Sequence, residues 1–243
     1  MPSRALEPTT HGLCLRTPGA SCSRGYSVLA EEMNHYVIIS GVPASGKTTV
    51  ARVIARELAL PLFDKDNFLE PRLEGQSFGD TESRRTFSRA ADQEFRSQAE
   101  RSSGAIMTSW WKHPLSSADS GTPTEWLAAL PGCRVEVHCR CSPAVAARRF
   151  LERRRHPGHL DNRWSYPELL TRFTQDASFG PLGVGYLVVV QTDGEIEFGP
   201  LLRAIDQGWK KQEPNQQPSE PTPPAVTDRA DARSAPAGGV APR

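Results

Sequence analysis

The run Tyr36-Val37-Ile38-Ile39-Ser40-Gly41-Val42-Pro43-Ala44-Ser45-Gly46-Lys47-Thr48-Thr49 constrains this chain more than any other segment. From Gly41 to Thr48 it fits the spacing G-x-x-x-x-G-K-[ST]. An apolar β-branched run precedes it, which suits a buried strand. After it, Val50, Val53, Ile54 and Leu58 recur at helical spacing. Strand, glycine loop and helix form the context in which this motif cradles phosphate. Gly41 and Gly46 let the backbone curl, so that the N–H groups of Ala44, Ser45, Gly46, Lys47 and Thr48 face one point. The unpaired N–H groups of the helix start add positive charge there. Pro43 stiffens the loop and donates nothing. Lys47 carries a mobile ammonium to the outer phosphates of ATP, and the Thr48 hydroxyl is placed to ligate Mg2+. Thr49 supports the helix start.

The rest of the chain sets limits. From Lys211 onward Pro, Gln, Ala, Ser and charge dominate, the composition of a disordered tail over 211–243. Residues 1–32 lack apolar pattern and read as a disordered extension, with Met33 a candidate start just before the first strand. Between them lies a domain over 33–210, long enough for one real core. The formal charge of +1 gives no field for nucleic acid or an acidic membrane. No apolar run reaches the ~20 residues that span a bilayer, and the N-terminus lacks the apolar centre of a secretion signal. Five cysteines beside a phosphate loop fit a reducing, cytoplasmic setting. Cys139-Arg140-Cys141 lacks the spacer of a zinc site, so Cys139 reads as a small buried strand residue.

Strand and helix patterns alternate, which predicts a parallel sheet with helices on both faces. The expected strands lie near 36–40, 60–63, 104–108, 134–139 and 185–190. Alternation in the fourth suggests partial exposure or a place near the sheet edge. The fold class is α/β: a three-layer P-loop NTPase, nucleoside-kinase-like, with five parallel strands and a helical lid. Ligands of such sheets gather at the carboxyl ends of the strands. That rule selects Asp64 and Asp66 after strand two, and Trp110 and Trp111 after strand three. Asp66 is the candidate base for a substrate hydroxyl, and capping of the next helix is its competing role. Asp64 is a candidate substrate contact or cap. Trp110 and Trp111 offer faces for a substrate ring, with one of them core. Strand three carries no acid for the metal shell, which leaves Thr48, phosphate, water and Asp66. Arg149 and Arg153 lie one turn apart on a helix expected to run to about Arg154. With Arg155 and the Pro157-Gly158 loop they would form a lid over about 148–165, Arg149 on the nucleotide and Arg153 on transition-state charge. A solvated basic face is the competing reading. His156 and His159 read as lid or structural residues.

The segments GVPASGKTT, LPLFDKDNF and VEVHCRCSPAVAARRFLERRRHPGHLD resemble the small bacterial P-loop kinases, the AAA-type ATP-binding kinases akin to gluconate kinase, chloramphenicol phosphotransferase and zeta toxin. The resemblance spans about 36–209. It implies five parallel strands, a lid arginine and an acceptor-side Asp at Asp66. Three functions remain open at this point. One is ATP-dependent phosphorylation of a small-molecule hydroxyl, by a monomer or weak dimer. Another is a regulatory nucleotide-binding module, which the missing strand-three acid favours. The third is a kinase of nucleotides or nucleic-acid ends.

Overall fold

The computed structural model describes residues 33–76 and 81–213. The expected extension over 1–32, residues 77–80 of the loop before the long helix, and the tail from 214 lie outside them. Five parallel strands form one sheet: β1 (His35–Ser40), β2 (Leu62–Asp64), β3 (Gly104–Thr108), β4 (Cys133–Arg140) and β5 (Tyr186–Gln191), in the order β2-β3-β1-β4-β5. The chain turns to one side of β1 for β2 and β3 and to the other for β4 and β5. The carboxyl end of β1 is therefore the topological switch point, where such sheets place their ligands.

β1 and β3 are apolar almost throughout because helices cover both of their faces. On one face α1 (Lys47–Leu58) and α6 (Phe198–Lys210) pack Val50, Ile54, Leu201, Ile205 and Trp209 against Val37, Ile39, Val135 and Val137. On the other, α3 (Thr81–Arg101) and a 3-10 segment at Glu125–Ala129 pack Phe95, Ala99, Trp126 and Leu127 against Tyr36, Ile38, Ala105 and Met107. Ala91, Phe95 and Ala99, four residues apart, are buried and form the inner face of α3. α4 (Pro143–Glu152) and α5 (Tyr166–Ser178) make a separate cluster in which Phe150, Leu169 and Phe173 meet Val42 of the phosphate loop.

β4 is the last strand but one, as its alternation suggested, but the polar residue at its centre is not exposed. Glu136 has no accessible surface. The edge strand on this side is β5, where Leu187 and Val189 face outward. Cys139 is buried as expected. Ordered chain also continues past 210. Gln212 exchanges hydrogen bonds with the backbone of Arg134, accepting at 3.1 Å and donating at 2.9 Å. No helix among the described residues is long and apolar enough to cross a membrane.

Candidate active site

The phosphate loop folds as its glycines require. Gly41 adopts φ 124° and Gly46 φ 90°, and a side chain on Gly41 would strike the Cys139 carbonyl at 2.5 Å. Ala44, at φ 59°, holds a left-handed turn without being glycine, a strained conformation of the kind that clusters at functional sites. α1 begins at Lys47 with no side-chain cap, so its first N–H groups remain open toward the loop. Ser45 Oγ is buried there without a hydrogen-bond partner. The Lys47 ammonium donates to the carbonyls of Gly41 at 2.9 Å and Val42 at 2.7 Å. Burial lowers its pKa to about 8. A curled amide loop, an orphaned hydroxyl and a buried cation facing neutral carbonyls fit a polyphosphate. Thr49 is exposed beside them, in keeping with a role at the helix start.

The two acids after β2 divide their work. Asp64 closes the strand and caps α2 (Lys65–Leu73) by accepting from the Asp66 N–H at 3.1 Å. Its other oxygen accepts from Thr48 Oγ1 at 3.0 Å. Burial and the neighbouring Asp66 push its carboxyl up. The acid that sequence reasoning missed on β3 is thus supplied from β2, the neighbouring strand, with Asp64 opposite Thr108. Of the two acids it is Asp64, and not Asp66, that bonds Thr48, the residue expected at the metal. Thr48 and Asp64 form the all-oxygen pair that fits Mg2+. Asp66 instead points to the lid, where it is paired with Arg155. Burial raises its pKa, but Arg155, His159 and Arg153 outweigh that and hold it below the usual carboxylate value.

The lid also differs from its expected form. α4 stops at Glu152, and Arg153 sits beyond it in extended backbone, so Arg149 and Arg153 do not share a helix face. Two 3-10 turns follow, at Pro157–His159 and Asp161–Arg163. Arg149 reaches the carbonyls of Thr192 at 2.8 Å and Asp193 at 3.0 Å, fastening α4 to the loop after β5. Arg153 lies 4.0 Å over the Phe150 ring, is bonded to Asp161 at 3.1 Å, and acts electrostatically on Lys47. Arg84 of α3 donates to the Gly158 carbonyl at 2.7 Å, and His159 meets Glu70 at 2.9 Å. Asp66, Glu70 and His159 come close enough to share a cation. The Arg155 already on Asp66 and Arg84 nearby oppose one, so these contacts tie the segment 155–159 to α2 and α3.

Gly41, Val42 and Pro43 form one wall of a cavity of about 740 Å³. Trp110, Lys112, His113, His138, Arg172, Asp176 and Phe179 line it further. The tryptophans do not serve as open stacking plates. Trp111 is buried in the α3 core and donates from its indole to the Ile39 carbonyl at 2.8 Å. Trp110 is 38% exposed, but Arg172 stacks on it at 4.5 Å. His138, Arg172 and Asp176 were missed in the sequence. Only the (i, i+4) spacing of Arg172 and Asp176 on α5 hinted at a pair.

A family profile described as AAA domain matches residues 37–164, just over half of the chain. No curated protein matches the sequence. Among solved structures, a provisionally named kinase from Chloroflexus aurantiacus J-10-fl is 24% identical, with a TM-score of 0.59 over 74% of this chain and 98% of that one. Shikimate kinase from Bacteroides thetaiotaomicron is 20% identical, with a TM-score of 0.47 over 71% and 95%. A gluconokinase from Sinorhizobium meliloti 1021 is 18% identical, with a TM-score of 0.41 over 74% and 93%. The first of these likenesses is one of fold: the α/β P-loop fold expected from the sequence.

Proposed function

The chain belongs to the AAA domain family, and from that premise we propose that it is a kinase that passes the γ-phosphoryl group of ATP to a hydroxyl of a small molecule. The observation that carries this reading is the phosphate loop opening onto the 740 Å³ cavity at Gly41, Val42 and Pro43. A volume of that size suits a small molecule. In this reading the loop amides, Ser45 and Lys47 hold the phosphates, and Thr48 with Asp64 holds Mg2+, whose chemistry is to neutralise the transferring group. Arg149 orders the wall of the nucleotide site, and Arg153 meets the charge that develops on transfer. Asp66 takes the hydroxyl proton after Arg155 has released it. The catalytic domain spans 33–210, works in the cytoplasm, and acts as a monomer or weak dimer.

A regulatory module without phosphotransfer is the second reading, favoured by the Arg155 that occupies Asp66. Phosphorylation of nucleic-acid ends is disfavoured by the formal charge of +1 and by the covered tryptophan faces. Purified chain is incubated with ATP, Mg2+ and pooled sugars, hydroxy acids, nucleosides or RNA ends, and ADP release is followed. Release that depends on one small-molecule pool supports the proposal. ATP binding with no pool-dependent release supports the module, and release with RNA ends alone supports the third reading.

A further inference from the structure

Asp64, Lys65 and Asp66 are consecutive, and each side chain goes to a different element. Asp64 accepts from Thr48 Oγ1 at 3.0 Å, at the start of α1, and Asp66 pairs with Arg155 beyond α4. Lys65, between them, runs to α3. Its ammonium donates to Ser88 Oγ at 2.9 Å and meets Asp92 Oδ1 at 2.7 Å. The Lys65 and Asp92 side chains are only 10% and 15% exposed. Among the described residues nothing donates in line to that Asp92 oxygen, so the charge of Lys65 is what holds it. Arg84, Ser88 and Asp92 recur every four residues and lie along one stripe of α3. Arg84 donates to the Gly158 carbonyl at 2.7 Å. One stripe of α3 thus anchors both the turn that carries the acids and the segment 155–159 that faces Asp66.

The junction that Lys65 anchors has little else to fix it. β2 is three residues long, lies at the sheet edge and pairs with β3 alone. α2 packs on α3 through Phe68, Leu69 and Leu73, whereas Lys65, Asp66 and Asn67 ahead of them are polar. Apolar contacts are non-directional. They keep α2 on α3 but specify its rotation and register weakly. A buried ion pair adds little net stability beside apolar residues of the same volume, yet it is satisfied in one arrangement.

We propose that Lys65 is a positioning residue: its contacts with Ser88 and Asp92 set the β2–α2 junction so that Asp64 faces Thr48 and Asp66 faces segment 155–159. The duties of the two acids rest on the kinase reading; their placement by Lys65 does not.

The test uses the full chain. Lys65→Met together with Asp92→Leu replaces the pair by apolar residues of similar size, a change that buried pairs commonly tolerate. The melting temperature should stay near that of the native chain. Calorimetry then reads ATP binding in EDTA and across a Mg2+ series. In EDTA the affinity should be unchanged, because the loop amides and Lys47 are untouched. The Mg2+ concentration for half-maximal enhancement of binding should rise on the order of tenfold, the size expected when a metal ligand loses its outer support. Added to Asp64→Asn, the two substitutions should move it no further. With an acceptor pool that supports ADP release, turnover should fall on the order of 10²-fold, as for a catalytic group displaced by about 1 Å. Asp92→Asn keeps the volume and one acceptor, and should show both changes at about threefold. A native Mg2+ requirement in the folded variants overturns the proposal and makes the pair a strut. So does a Mg2+ shift that persists at full size beside Asp64→Asn, or turnover that stays native while the Mg2+ requirement moves. A double variant that does not fold leaves the decision to Asp92→Asn. If no pool releases ADP from the native chain, the kinase reading falls, and the Mg2+ series alone decides the role of Lys65.

Discussion

Lys47 has no carboxylate partner among the described residues and folds back on the carbonyls of Gly41 and Val42. Two arginines of the expected lid do have one: Arg155 holds Asp66, and Arg153 holds Asp161 at 3.1 Å. The first region is built for an anion that is not its own. The second is neutralised by its own acids and must exchange partners before it can act on a ligand. Backbone geometry prepares the phosphate loop, and nothing there has to break except two bonds to neutral carbonyls. Ion pairs and Arg84 on the Gly158 carbonyl tie this segment to α2 and α3, so in the kinase reading its movement would require an exchange of salt bridges. In that reading a phosphate group, with more charge and more acceptor oxygens than the Asp161 carboxylate, would draw Arg153 from its partner.

Arg153→Ala should show the largest effect. If the guanidinium leaves Asp161 for the transferring phosphoryl group, its loss should cost turnover on the order of 10³, the low end for such arginines. ATP affinity, read by calorimetry, should change little, because the contact forms chiefly in the transition state. Wild-type turnover in this variant would mean that the Arg153–Asp161 pair is a permanent strut and that the lid only excludes water. Asp66→Asn comes next. Asp64 caps α2, so an amide at position 66 leaves that cap intact. Turnover should fall several hundredfold, within the range for a lost general base, with nucleotide binding preserved. Unchanged turnover would reduce Asp66 to a latch for Arg155 and erase the functional difference between the two regions.

The same contrast explains what could be read in advance. The phosphate loop is local: eight consecutive residues specify it, and their backbone conformation is a property of their own glycines. The α/β order followed from periodicity in the same way. The lid and the cavity are not local. Asp161 faces Arg153 only because α4 ends at Glu152, and no residue near 152 signals that stop as a glycine would. Asp64 meets Thr48 through a sheet order, β2-β3-β1, and a register opposite Thr108 that neither segment specifies alone. Glu136 looks like the polar half of an alternating strand until Ser40 and the turn at 182–184 are placed around it. Trp110 and Trp111 are adjacent in sequence, yet one lies in the core and one under Arg172, a division set by α3 and α5.

Lys47 gives a smaller and pH-dependent test of the prepared region. Lys47→Ala should weaken ATP binding about a hundredfold, two charge-assisted hydrogen bonds at roughly 1.5 kcal/mol each, with an unchanged circular dichroism spectrum. In the native chain the free ammonium titrates at about 8. Phosphate binding needs the charged form, so ATP affinity should hold below that pH and fall about tenfold per unit well above it. Stability should move the other way. Between about 8 and the ordinary lysine value of 10.5 the unfolded chain binds the proton that the folded chain has lost. Stability therefore gains from this residue as pH rises through that window. An affinity flat to pH 10 would show that the loop holds phosphate by its amides alone.

The smallest expected effect is at the far end of α6, beneath the prepared region. β5 pairs with β4 only from Val135, so the backbone of Arg134 has no strand on that side. Gln212 stands in for it, accepting from the Arg134 N–H at 3.1 Å and donating to the Arg134 carbonyl at 2.9 Å and the Gly208 carbonyl at 2.8 Å. A chain ending at Glu213 keeps these bonds and should melt where the full chain does, because the composition from 214 onward offers no apolar face to dock. A chain ending at Lys210 should lose about 1–3 kcal/mol, the cost of leaving partly buried backbone groups without partners. For a domain of this size that is roughly 3–10 °C in melting temperature. Gln212→Ala in the full chain should reproduce most of the loss, which separates the side chain from the helix end. Equal melting of the two truncations would show that water serves Arg134 as well as Gln212 does, and that the ordered core ends with Trp209.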